Sequence, residues 1–302
     1  MKITNRQNLP ATIISAVSKH NYAPKEGRLS VTTLINPPQM EALRRQNWPE
    51  LTEDASDRIW MLLGSAVHGV LEKADDDNVI IEEKLELKHD GYVVPGVADL
   101  LEIIQPDARD PLHDDGHQVT DFKITSVWSF LHGVKPEWEK QLNLYAHGYR
   151  QAGFDIVRLQ IIAILRDWSK GKAKYDKDYP NSQIHVVPVR LWPAEETQSY
   201  LEARVAIHKR AIEHGTYPPC TDEERWAKLD TWAVKKPLSK RATRVFESER
   251  DAQEYMDVDK HIIEYRPGAN MRCDSYCSVS HLCRQKQGMD EGIETRAEEG
   301  RR

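Results

Sequence analysis

Two aspartates and a lysine are the residues of this chain best placed to do chemistry. Asp99 lies in Gly96-Val97-Ala98-Asp99, and Asp121 and Lys123 lie in Thr120-Asp121-Phe122-Lys123. Residues two apart on a strand face one side, so Asp121 and Lys123 project together and Phe122 is expected to point into the core. If the two segments are neighbours, Asp99 can meet Asp121 at one end of a sheet. Carboxylates at that range are costly without a cation, and hard oxygen ligands with open positions suit Mg²⁺ or Mn²⁺. A lysine beside them would position an attacking water or stabilise negative charge in a transition state. His68, one turn after Gly64 on an apolar helix, could be a third ligand, with Gly64 letting another backbone approach that face. Gln141 and Tyr145, four apart, share a helix face, where an amide and a hydroxyl can hold a phosphate or a base edge. Each piece alone is commonplace: an isolated D-x-K is frequent, and a histidine on an apolar helix is ordinarily a core residue. The weight falls on their order along the chain.

A second constellation is Cys220 with Cys273-x3-Cys277-x5-Cys283, and there is no cysteine in the first 219 residues. The N-terminal MKITNRQNLPATIISAVSKH lacks the layout of a secretion signal. Clustering in such a chain argues for metal more than for disulfides. Four thiolates fit a [4Fe–4S] cluster or a structural zinc, and the spacing leaves both open, beside the plain alternative of four free cysteines. His281 is a candidate substitute ligand. In either case the metal's role would be structural, pinning the C-terminal segment onto the core.

The elements that must position these groups follow from pattern. Residues 57–74 are apolar on nearly every side, which predicts a helix buried inside a domain. Residues 79–88 alternate and end at Asp90-Gly91, a hairpin turn signal, and 92–104 resume as a strand. A loop is expected over 105–117 and a strand over 118–124. Pro136 can open a helix to about Gln151, with Gly153 as its stop. Residues 155–165 and 183–191 are expected strands and 193–214 a helix. Pro37-Pro38 should stop any helix, and 166–180 look like a loop. Helix, three strands, helix, strand predicts an α/β core with a mixed sheet.

Composition sets the bounds. The chain has 302 residues, 39% hydrophobic and 30% charged, with formal net charge −6. It is long enough for one large domain or two small ones, and its apolar runs are too short to span a membrane, so a cytosolic protein without membrane association is expected. The acidic balance excludes a globally basic coat protein for nucleic acid, but not an enzyme with one basic cleft. Two basic stretches stand out: Lys170, Lys172 and Lys174, and Lys235, Lys236, Lys240, Arg241 and Arg244, with Trp226 and Trp232 nearby as stacking candidates. No phosphate-binding glycine loop and no internal repeat is present.

Taken in order, Gly64-x3-His68, Gly96-x2-Asp99, Asp121-x-Lys123 and Gln141-x3-Tyr145 resemble the motifs of the RecB-type branch of PD-(D/E)XK nucleases. With the cysteines added, the chain resembles the iron–sulfur exonucleases of CRISPR systems, AddB helicase-nucleases and phage recombination modules. The resemblance covers roughly 30–165 for the motifs and 220–283 for the cysteines. It implies a restriction-endonuclease-like α/β fold, a mixed central sheet flanked by helices, with a small C-terminal cysteine-metal lobe. The division it suggests is an N-terminal extension over 1–29, a nuclease core over 30–215, a cysteine-cluster and basic accessory lobe over 216–287, and a disordered tail over 288–302. It further implies that His68, Asp99 and Asp121, with the Phe122 carbonyl, hold Mg²⁺ or Mn²⁺. Lys123 would act on the nucleophilic water, while Gln141 and Tyr145 position DNA. Glu86 is a further carboxylate, expected as a solvated strand residue. One departure is plain: many relatives carry their first cysteine before the nuclease motifs, whereas here Cys220 follows them, which keeps zinc in play. The implied activity is metal-dependent hydrolysis of DNA from its ends, single strands preferred, in recombination or end processing in a prokaryote or phage-infected cell. A helicase or a single-strand annealing protein is the expected partner, and oligomeric state is open. The alternatives are a structure-specific endonuclease using the same site and a non-catalytic DNA-binding accessory protein.

Overall fold

The computed structural model describes residues 1–19, 22–71, 73, 79–81, 84–104, 115–131 and 133–299. The chain divides into two compact units, Met1–Pro38 with Trp48–Thr216, and Gln39–Asn47 with Tyr217–Arg302. Among the described residues no helix is long and apolar enough to cross a membrane.

In chain order the elements begin with β1 (Lys2–Thr4), α1 (Ala11–Ser18), α2 (Val31–Leu34) and α3 (Pro38–Asn47). There follow β2 (Thr52–Asp54), α4 (Ile59–Leu71), β3 (Val79–Ile81), β4 (Lys84–His89), β5 (Tyr92–Val97), β6 (Leu100–Ile104) and β7 (Gly116–Thr125). The first unit closes with α5 (Val127–Leu131), α6 (Pro136–Gln151), β8 (Ile156–Leu165), α7 (Lys170–Tyr175), β9 (Ile184–Val189) and α8 (Ala194–His214). Its main sheet has five strands in the order β3-β6-β7-β8-β9. β7 and β8 run parallel and the other neighbours antiparallel, so the sheet is mixed. A parallel pair needs a crossover, and α6 lies in it. β4 and β5 form a separate hairpin whose turn, Asp90 and Gly91, takes positive φ at both residues (45° and 80°), as a two-residue hairpin turn requires.

The core lies between sheet, hairpin and helices. Leu101, Val119, Leu159 and Ile161 of the sheet pack with Leu142, Tyr145 and Tyr149 of α6, Leu87 and Val94 of the hairpin, and Leu201 and Val205 of α8. α6 is covered so fully that Asn143 and His147 are buried with Gln141. Their polar ends are met: Asn143 accepts from Trp192 N at 2.7 Å, and His147 shares a hydrogen bond with Gln198 at 2.8 Å.

Several expectations are corrected. The span 92–104 is not one strand: it breaks at Ala98-Asp99, where Ala98 N–H donates to the Tyr149 hydroxyl at 3.1 Å, and the halves enter different sheets. No residue of α4 is buried, and Trp60 and Val70 keep 57% and 71% of their surface exposed. All-round apolarity shows what a helix tolerates, not how many sides are covered. Helix α2 does end before Pro37-Pro38, at Leu34, but Pro38 then opens a new helix, α3, at its first position, where a missing N–H costs nothing. Residues 170–175 are helical rather than looped, with Ser169 as cap. Phe122 points not into the core but toward His68, ring centroids 6.5 Å apart and edge to face. The expected loop over 105–117 lies mostly outside the described residues, while Gly116 and His117 begin β7.

The second unit holds α9 (Asp222–Arg225), β10 (Ala227–Lys228), β11 (Thr231–Lys235), β12 (Arg244–Phe246) and α10 (Glu249–Tyr255). β13 (Ile262–Arg266), β14 (Ala269–Asn270), α11 (Met271–Ser275) and α12 (Arg284–Glu299) complete it, together with α3 from Gln39 on. β12-β11-β13 make an antiparallel sheet, and β10 pairs with β14. α12 runs to Glu299 through the segment expected from residue 288 on to be a disordered tail, and residues 300–302 lie outside the described residues. The segment has no proline and is rich in helix formers, and Lys286 pairs with Asp290 one turn on, at 2.5 Å.

Candidate functional site

The break between β5 and β6 places the first carboxylate. β6 pairs with β7 so that Leu100 stands opposite Thr120. Continuing that register brings Asp99, just before β6, beside Asp121 and Phe122. Asp99 Oδ2 accepts the Phe122 N–H at 2.7 Å, and Asp99 Oδ1 lies 2.8 Å from His68 Nδ1 on α4. That contact, with the nearby Asp99 and Asp121 charges, raises the His68 pKa against the opposing effect of burial.

Asp121 is the buried member of the pair, 3% exposed. Burial pushes its carboxyl pKa up and the Asp99 charge adds to this, while Lys123 opposes both. Lys123 Nζ is 2.6 Å from Asp121 Oδ2 and donates to Gln141 Oε1 at 3.0 Å. Lys123 is thus the charged partner of this buried carboxylate. Gln141 Nε2 donates to the Tyr145 hydroxyl at 2.8 Å and reaches Asp121 Oδ1 at 3.4 Å. Tyr145 is held as a neutral phenol, its pKa raised by burial first and by Asp121 second. All six predicted residues of the acidic constellation therefore form two touching groups, His68–Asp99 and Asp121–Lys123–Gln141–Tyr145.

Gly96 allows the arrangement: a Cβ there would lie 2.8 Å from Tyr145 Cε1 and 2.9 Å from Val31 Cγ2. Gly64 has no such role, since a Cβ there would meet nothing within 4 Å. Glu86 stands apart, paired with Arg28 at 2.9 Å. Tyr149, which pins the break before Asp99, was missed in the sequence although its spacing from Tyr145 and Gln141 puts it on their face. Lys135, Arg166 and Trp60 were missed too. Arg166 follows β8 directly and its N–H donates to the Thr125 carbonyl at the end of β7, at 2.9 Å. Its guanidinium lies 4.2 Å from the centre of the Trp60 ring.

The donor set of two carboxylates and an imidazole has the chemistry for a hard divalent ion. As the side chains stand, Lys123 supplies counter-charge to Asp121, and the His68 ring lies against Asp99. Among the described residues no three His, Cys, Asp or Glu side chains are closed around an ion-sized point.

In the second unit, Cys220, Cys273, Cys277 and Cys283 are free thiols that line one cavity of about 20 Å³ with Gln39, Arg225 and Met289. Burial pushes the Cys220 thiol up to about 12, and it raises Cys273 and Cys277 as well. Gln39 of α3 bridges two of the sulfurs: its Nε2 donates to Cys283 Sγ at 3.1 Å, and its Oε1 lies 3.5 Å from Cys220 Sγ. His281 is exposed and does not line the cavity. The basic stretch of this unit is partly engaged: Lys235 pairs with Glu264, and Arg244 lies over Phe246 and Tyr255. Trp226 and Trp232 pack against Tyr276 and Tyr265.

No family model matches the chain, and no curated protein matches it. Among solved structures, the crystal structure of SSO0001 is similar over 91% of this chain and 94% of its own, at 14% identity and TM-score 0.47. An alkaline exonuclease (LHK-Exo) from Laribacter hongkongensis is similar over 65% of this chain and 95% of its own, at 13% identity and TM-score 0.35. At that distance neither likeness bears on chemistry.

Proposed function

We propose that this chain is a nuclease that hydrolyses phosphodiester bonds of DNA, acting from DNA ends and preferring single strands. The observation that carries the reading is the Asp121–Lys123 pair: a buried carboxylate 2.6 Å from an amine that Gln141 aligns. His68, Asp99 and Asp121 would hold Mg²⁺ or Mn²⁺, which when bound polarises a phosphoryl oxygen and lowers the pKa of water. Lys123 donates to the incoming water or to the phosphoryl oxygen on which charge develops. Gln141 and Tyr145 are too buried to hold a strand themselves, at 7% and 4% exposure. They act as positioning residues, turning the Lys123 amine toward the carboxylates. A helicase or an annealing protein would deliver the strand.

The four cysteines are proposed to hold a [4Fe–4S] cluster. A second reading, a single zinc ion, is favoured by the cavity of about 20 Å³, room for roughly one water-sized body. Metal analysis of anaerobically purified protein separates them.

The test of the activity uses that protein on end-labelled linear and closed circular single-stranded DNA, with Mg²⁺, Mn²⁺ or EDTA, beside Lys123→Ala. Loss of linear DNA alone, abolished by EDTA and reduced by about 10²-fold or more in the variant, supports the exonuclease. Cutting of circles points instead to an endonuclease at the same site. Cleavage of neither substrate overturns the reading.

A further inference from the structure

The first unit carries an exposed aromatic–cation stack that the carboxylate chemistry does not use. On α4, Trp60, Gly64 and His68 are spaced four apart and so follow one stripe of the helix. His68 ends that stripe on Asp99, and Trp60 ends it under the guanidinium of Arg166, at 4.2 Å. Between them Gly64 leaves open space where a side chain would stand. Trp60 keeps 57% of its surface exposed although an indole is among the most favourable groups to bury.

The charges beside this stripe are also uneven. Arg166 lies where β7 and β8 end, at the carboxyl edge of parallel strands, the edge at which open α/β sheets take ligands. Lys135, next to Pro136 at the start of α6, sits 5.2 Å from the centre of the Trp138 ring. Burial, Arg166 and Lys123 all disfavour its charge, with Glu137 opposing them. Lys135, just before α6, thus lies near enough to Arg166, just after β8, for the two charges to act on each other, whereas Lys123 already has Asp121 at 2.6 Å. In the basic stretches conspicuous in the sequence, Lys235 is paired with Glu264, and Lys172 and Lys174 lie over Tyr179 and Tyr175.

We propose that Trp60, Arg166 and Lys135 clamp a single nucleic-acid strand along α4, the indole stacking on an unpaired base while Arg166 and Lys135 hold backbone phosphate. The inference rests on the nuclease reading for its substrate class and deepens it: the strand enters past Trp60 and meets the carboxylates at His68. A paired base offers no free face, so the clamp selects single strands over duplex.

The experiment measures binding apart from cleavage. Fluorescein-labelled oligothymidylate is titrated with the full chain by fluorescence anisotropy, in EDTA and again with Ca²⁺, over a series of salt concentrations. Trp60→Ala is expected to weaken binding about 5- to 100-fold, and Trp60→Phe to restore most of it. Arg166→Ala and Lys135→Ala should each lower the slope of log affinity against log salt by about 0.7 for every phosphate no longer neutralised. Duplex binding should move little with Trp60→Ala, and Tyr175→Ala, which removes another exposed aromatic beneath a cation, should bind as wild type. Thermal melts check that each variant folds. Wild-type affinity and salt slope in folded Trp60→Ala and Arg166→Ala overturn the clamp, as does an equal weakening in Tyr175→Ala or no binding by the wild type. Cleavage is scored separately: a clamp-dependent strand that is never cut upholds this inference and overturns the nuclease, whereas cutting that is indifferent to the three variants does the reverse.

Discussion

At the scale of single residues, Asp121 shows how a site conflicts with stability. A buried carboxylate pushed toward its neutral form is a poor structural acceptor and a good reserve of charge for a cation. A carboxylate whose pKa is raised by folding costs stability in its charged form, and a neutral isostere removes that cost, whereas removing Lys123 leaves the buried carboxylate uncompensated. Asp121→Asn is therefore expected to lose less stability than Lys123→Ala, or to gain slightly. Lys123→Ala should lose about 1–3 kcal/mol, and both should lose cleavage. Urea denaturation at neutral pH measures the difference. A larger loss for Asp121→Asn than for Lys123→Ala would make Asp121 a structural acceptor instead.

At the scale of elements, the site depends on how α6 meets the strands around it. Tyr149 holds the break before Asp99, Tyr145 rests on the bare backbone of Gly96 in β5, and Gln141 reaches Lys123 on β7. On the opposite face of β7, Thr120 bonds Glu102 of β6 and accepts from Gln160 of β8 at 3.0 Å, so three strands are tied in register behind the site. Gly96→Ala forces Tyr145 or Val31 to shift. The expected cost is about 1–3 kcal/mol by overpacking, with a drop in kcat larger than the stability loss explains, because the Gln141–Tyr145 contact moves. Gly64→Ala, with nothing near its Cβ, should leave stability within about 0.5 kcal/mol or raise it slightly through helix propensity. Equal effects of the two substitutions in parallel melts and assays would remove Gly96 from the account.

At the scale of the whole molecule, charge and metal are the terms that reach beyond one element. A chain of net charge −6 repels polyanions on average, so affinity for DNA has to come from locally gathered cations and should fall steeply with salt. Metal loading on the four cysteines requires thiolates, and the Cys220 thiol sits at about 12 without metal. Its folded pKa lies above that of a free thiol, so loading releases protons and is opposed more strongly as pH falls. Apparent zinc or iron–sulfur affinity should therefore drop between pH 8 and pH 6, roughly tenfold per pH unit for each thiol deprotonated. Cys277→Ser should lower both metal content and thermal stability. A chain that melts at the same temperature with metal, after chelation and as Cys277→Ser would show that the cysteines hold nothing structural.

The sequence by itself determined the local terms. Period-two and helical patterns, Asp90-Gly91, Pro136 and Gly153 located β4, β7, β8, β9, α6 and α8, because turn chemistry and amphipathic period act over a few residues. The motif order also put His68, Asp99, Asp121, Lys123, Gln141 and Tyr145 on one short account. Tertiary structure decided the rest. Whether α4 is covered depends on what packs against it, and whether 92–104 is one strand or two depends on Tyr149, fifty-one residues after Ala98. The same holds for Gln141 and Tyr145, which turn out to be buried, and for Trp60, Lys135 and Arg166, which share no motif. The contact of Trp60 with Arg166 is a product of strand order and register, long-range pairings that no local pattern encodes.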